Sequence, residues 1–177
     1  MQYKRKSFDI SIIAFFAVLT AVCSQISIPL PFTPIPLNLA LFSVFMSGNI
    51  LGCKKGAVSQ AIYVLLGCIG LPVFANLSGG IGILAGPTGG YLIGYIATSF
   101  IVGLFAQAKN SYIITGFSMT LGLMACYFLG TAWFVLTTQH GIWEALLLCV
   151  IPFLFADALK IVLAAVLSQR LKKVIAI

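Results

Sequence analysis

Two ionisable residues, Asp157 and Lys160, lie inside the apolar run 144–169. Their i, i+3 spacing puts a carboxylate and an ammonium on one helix face, where they can pair or share a ligand. Read as one helix from Glu144, the run carries Asp157 about 20 Å along the axis and Lys160 one turn deeper. Either charge alone costs at least about 2.5 to 3.5 kcal/mol at the middle of a bilayer, so the pair faces the bundle interior or a polar cavity. Three roles fit: recognition of a ligand, acid and base in an intramembrane enzyme, or a salt bridge that only fixes packing.

Little else in the chain offers chemistry. Gly80-Ile-Gly-Ile-Leu-Ala85 spells a dinucleotide fingerprint, but no strand–helix crossover surrounds it and no acidic residue follows about 20 positions on. There is no G-x-x-x-x-G-K-[ST] loop for ATP, and no G-x-S-x-G or H-E-x-x-H. Cys23, Cys53, Cys68, Cys126 and Cys149 are odd in number, lack C-x-x-C spacing and read as reduced packing residues. His140 and Glu144 belong to a turn and receive no role. The sequence implies no metal, no cofactor and no catalytic residue.

The elements that position Asp157 and Lys160 follow from composition. Of 177 residues, 61% are hydrophobic and 7% charged, with a mean hydropathy of +1.14. Soluble domains are about 45 to 50% apolar and about 25% charged, so this chain is an integral membrane protein whose solvent is the lipid bilayer. Apolar runs at 10–28, 36–52, 57–72, 90–108, 111–137 and 144–169 predict an all-α fold of six transmembrane helices, a single membrane domain over 1–177. The basic start and the apolar run after it imitate a signal peptide, but the cleavage pattern is poor and further spans follow.

Two breaks are irregular. The segment Ile28-Pro-Leu-Pro-Phe-Thr-Pro-Ile-Pro36 holds four prolines and cannot be helical. The segment 72–90 is too apolar for a solvent loop and too rich in glycine for a stable helix, so protein buries it or it lines a cavity. Nine of the ten basic residues (Lys4, Arg5, Lys6, Lys54, Lys55, Lys109, Arg170, Lys172 and Lys173) fall on one side of a six-span arrangement. The positive-inside rule makes that side cytoplasmic, with both termini inside and the proline and glycine loops outside. The net charge of +7 is thereby absorbed by membrane orientation, and nucleic acid is not an expected partner. Small residues recur at four-residue spacing, including Ala17 and Ala21, Gly48, Gly52 and Gly56, and Gly122, Cys126 and Gly130. That spacing lets helices approach closely in lipid, and the Ala17/Ala21 pair offers either packing or a docking surface.

Pro31-Phe-Thr-Pro-Ile-Pro36, Leu71-Pro-Val-Phe-Ala75 with Ser78-Gly-Gly80 and Gly86-Pro-Thr-Gly-Gly-Tyr91, and Asp157-x-x-Lys160 together resemble the BioY family, biotin-specific S components of energy-coupling factor (ECF) transporters. The resemblance runs over nearly the whole chain. It implies a six-helix subunit in a bacterial plasma membrane, crossing it several times and binding biotin at the outer side. A transmembrane coupling protein and two ATPases would drive it, toppling it to release the vitamin. Ala17-Val-Leu-Thr-Ala21 fits the family's contact with the coupling protein. The family's polar site residues map onto Asp157 and Lys160 and, in the glycine loop, onto Asn76; that loop carries no Arg. Biotin's ureido ring has two N–H donors and a carbonyl, which suit Asp157 and Lys160. Phe32, Phe74 and Tyr91 are candidate walls, Thr33 and Thr88 candidate polar contacts, and the glycine loop a candidate lid. An S component for another vitamin is the alternative within this class.

Overall fold

The computed structural model describes residues 2–106 and 111–175. Lys109 lies outside them, as do the side chains of Lys4, Arg5 and Lys6. The apolar runs become α1 (Gln2–Gln25), α2 (Ala40–Leu51), α3 (Cys53–Cys68), α5 (Gly89–Ala106), α6 (Tyr112–Thr138) and a final pair, α7 (Ile142–Cys149) and α8 (Leu154–Ile175). A five-residue helix, α4 (Ile81–Ala85), and a 3-10 turn at Ala75–Leu77 lie in the glycine loop. The two-residue strands β1 (Ser27–Ile28) and β2 (Leu37–Asn38) pair antiparallel and close the proline loop.

Among the described residues, four helical stretches are long and apolar enough to cross a membrane: Ser7–Gln25, Gly89–Ala106, Tyr112–Thr138 and Ile142–Lys173. Helix α2, about 18 Å long at its twelve residues, is shorter than the roughly 30 Å hydrocarbon core. Ten of those twelve residues are buried, so α2 is sheathed by other helices.

The sixth run is not one helix. Pro152 has no N–H to donate and its ring crowds the preceding turn, so the chain breaks into a 3-10 turn at Ile151–Phe153 before α8 begins. Asp157 therefore sits in the first turn of α8, not deep along a helix from Glu144. There the partial positive charge of the helix N-terminus favours a carboxylate.

Helix α5 is the hub, packed on α6, α2 and α3. Close approach needs small residues: a Cβ on Gly94 would stand 2.9 Å from Cys126 Sγ, and one on Gly122 would stand 3.0 Å from both Thr98 Cγ2 and Val102 Cγ2. Gly52, at φ 80°, turns α2 into α3 within one residue, a conformation that costs glycine little. Buried hydroxyls and an amide stitch the bundle where α1 meets it. Gln60 Nε2 donates to Thr20 Oγ1 (3.2 Å) and Ser47 Oγ (3.0 Å), and Ser47 Oγ lies 2.9 Å from Ser99 Oγ.

Polar contacts also sort the two ends of the bundle. At one end Lys55 Nζ donates to Asp9 Oδ1 (2.6 Å), joining α1 to the start of α3. Lys172 Nζ donates to Asn49 Oδ1 (3.0 Å) and to the Ala106 carbonyl (3.2 Å), joining α8 to α2 and α5. Lys55 and Lys172 thus share one end. The proline and glycine loops meet at the other.

Candidate functional site

Asp157 is 1% exposed and Lys160 5%. Lys160 Nζ donates to Asp157 Oδ1 at 2.7 Å, and the Tyr127 hydroxyl donates to Asp157 Oδ2 at 2.5 Å. Each carboxylate oxygen keeps a free lone pair, and among the described residues Lys160 has no other acceptor for its remaining N–H groups. The pair lines a small cavity of about 40 Å³ with Asn38, Leu41, Tyr91, Tyr95, Tyr127 and Cys149 among its walls.

A larger cavity of about 190 Å³ lies toward the glycine loop, lined by Tyr63, Phe74, Asn76, Ser78, Thr88 and Leu92 among others. The two share Ile35, Pro36, Asn38, Tyr91 and Tyr95, so these residues stand between the loop-side cavity and the one at the charged pair. The lining of the larger cavity holds no charged side chain.

Aromatic rings set the shape of these cavities. Tyr63 stacks on Tyr95 with centroids 6.4 Å apart and meets Phe74 edge-on at 5.6 Å. Two glycines seat the rings: a Cβ on Gly67 would collide with the Phe74 ring, and one on Gly130 with the Tyr91 ring. The Trp133 indole N–H donates to the Gly86 carbonyl (3.1 Å), anchoring the far end of the glycine loop to α6.

The model of the BioY family matches residues 1–177. The chain belongs to the BioY family. It is 46% identical to the biotin transporter BioY of Thermotoga maritima over 89% of this chain and 92% of that one. It is 39% identical to the probable biotin transporter BioY of Pyrococcus horikoshii over 94% and 98% of the two chains. A crystal structure of the S-component for biotin from an ECF-type ABC transporter superposes with a TM-score of 0.91 at 27% identity, covering 98% of this chain and 95% of that one.

Within this BioY fold, Asp157, Lys160, Phe74, Asn76, Thr88 and Tyr91 lie around the two adjoining cavities. Phe32 and Thr33 do not. Phe32 is 55% exposed, and Thr33 spends its hydroxyl oxygen accepting the Ile35 N–H (3.2 Å). The proline loop instead presents Pro34, Ile35 and Pro36 to the cavity. Ala17 is 1% exposed and packs inside the bundle, and Ala21 is half-buried.

Sequence reasoning missed Asn38, Tyr63, Tyr95 and Tyr127. A signal for the tyrosines was present, since a tyrosine within an apolar run needs a partner for its hydroxyl. Which tyrosine meets Asp157 depends on the crossing of α6 and α8, and the spacing of residues in the chain does not contain that crossing.

Proposed function

We propose that this chain is the biotin-capturing subunit of an ECF transporter, binding the vitamin from the outer side of a bacterial plasma membrane. The observation that carries the reading is the buried Asp157–Lys160 pair beside adjoining aromatic-walled cavities that hold no other charged side chain. Asp157 accepts the ureido N–H groups and Lys160 donates to the ureido carbonyl. The thiophane ring and tail run between Tyr63, Phe74, Tyr91 and Tyr95 toward the loops. Asn76 and Thr88 are the neutral donors that meet the carboxylate. The names of the relatives and of the structural neighbour support biotin as the ligand.

No reacting group beyond the pair is needed for capture, and ATP hydrolysis is assigned to two ATPases acting through a transmembrane coupling protein. Of the α1 residues considered for that contact, Ala21 keeps some surface beside the outward-facing Val18. Purification from cells grown with biotin, followed by mass spectrometry of the released small molecules, is expected to yield unmodified biotin. A different vitamin would reassign the ligand, and a chemically altered product would point to an enzyme.

The same reading gives six spans with both termini in the cytoplasm, supported by Lys55 and Lys172 at one end of the bundle. Single cysteines in place of Ser7 and His140, in a background without native cysteines, test it with a membrane-impermeant thiol reagent on intact cells. Position 140 is expected to react and position 7 to stay protected. Labelling at position 7 would reverse or break the topology.

A further inference from the structure

The end of α1 holds the loop over the larger cavity. Ser24 Oγ donates to the Val73 carbonyl (2.6 Å), Gln25 Nε2 donates to the Phe74 carbonyl (3.0 Å), and the Leu77 N–H donates to Gln25 Oε1 (2.9 Å). Just beyond, Ser27 Oγ donates to Asn76 Oδ1 (2.7 Å). The orientation of the Gln25 amide is dictated: a carbonyl can only accept and a backbone N–H can only donate. Gln25 thus pairs with the loop as a neighbouring strand would.

The segment it pairs with is unusual. Phe74 and Ser78 bridge each other, and between them Asn76 and Leu77 are both left-handed, at φ 58° and 54°. Asparagine tolerates that conformation, but it is strained for leucine and persists where surroundings hold it. The Leu77 side chain is 70% exposed, so burial of that side chain supplies little of the hold. The same segment supplies Phe74, Ala75, Asn76 and Ser78 to the cavity lining. Gln25 itself is absent from that lining.

We propose that Gln25 is a positioning residue for ligand capture, a latch whose side-chain amide keeps segment 73–78 closed over the bound molecule. The proposal rests on the biotin-capture reading for its ligand, but not for the latch. Opening the segment removes one wall of the cavity while leaving Asp157 and Lys160 in place. Loss of the latch therefore acts on release and leaves the contacts of Asp157 and Lys160 with the ligand intact.

The test uses Gln25→Ala and Gln25→Met in the full chain, in detergent, with biotin as the probe. Methionine keeps the length and bulk of glutamine without its hydrogen bonds, so a space-filling role would survive it. Both variants are expected to release biotin about tenfold or more faster, as befits two lost hydrogen bonds to the loop backbone, with association changed less than about threefold. Deuterium exchange without ligand is expected to speed up in peptides covering 73–78 and to stay unchanged in α5 and α6. Unchanged release or loop exchange in folded Gln25→Met, or faster release in Gln25→Ala alone, would overturn the latch. If Gln25→Ala does not fold, Gln25→Met decides alone. A wild-type protein that binds no biotin would overturn the ligand assignment, and the ligand-free exchange comparison would still decide the latch.

Discussion

Asp157→Asn is expected to lower biotin affinity by about ten- to more than a hundredfold. The substitution keeps the shape but turns an ionised acceptor into a neutral amide, and charge-assisted hydrogen bonds are worth about 1.5 to 3 kcal/mol each. It also removes the counter-charge of Lys160 and weakens the acceptor held by Tyr127 at the same carboxylate. Lys160→Met is expected to be comparably damaging, because it leaves a buried carboxylate with only the Tyr127 hydroxyl. The decisive measurement separates recognition from packing. Replacing a buried ion pair by apolar residues is often neutral or stabilising for a fold. Asp157→Leu with Lys160→Met, and with Tyr127→Phe so that no hydroxyl is stranded, is therefore expected to give folded protein that does not bind. Calorimetric titration with biotin on the detergent-solubilised variant checks this. Near-native affinity there would mean that the pair, with Tyr127, serves only the packing of α6 on α8.

Ala17→Trp is expected to abolish most of the folded protein, not to disable a docking step selectively. Ala17 is 1% exposed and part of the core, on a helix packed against α2 and α3 beside the Thr20–Gln60–Ser47 network. A single added methylene in a tight core commonly costs about 1 to 3 kcal/mol, and an indole adds far more volume than that. Val18→Trp is the matched control one position away: Val18 is 57% exposed, so the same ring points outward and biotin binding is expected to persist. Gel filtration of both proteins and titration of whatever is folded give the answer. A folded, binding-competent Ala17→Trp that fails only in uptake would restore Ala17 as a docking residue.

The membrane class, the helical fold and the loops that carry the site were legible in the sequence because each rests on a local property. Apolar runs, prolines without N–H groups and small residues at four-residue spacing act over a few neighbours, whatever the rest of the chain does. The one-sided basic residues and the stranded Asp157–Lys160 pair are legible for a related reason: a charge in hydrocarbon is costly wherever the helix goes. Family motifs extended this to Asn76, Phe74, Thr88 and Tyr91, all of which border the cavities, and to Phe32 and Thr33, which do not.

Tertiary structure decided what depends on how helices cross and rotate. The break at Pro152 moved Asp157 to the head of α8, and the crossing of α6 brought Tyr127 onto its carboxylate. The rotation of α1 buried Ala17 and turned Val18 outward, although both are small apolar residues in one run. Tyr63, Tyr95 and Asn38 converge from α3, α5 and β2, and Gln25 reaches a loop about fifty positions away. A side chain of mixed character in an apolar run reads alike whether it faces lipid, a neighbour or a ligand. Only the packing of the other helices against it distinguishes the three.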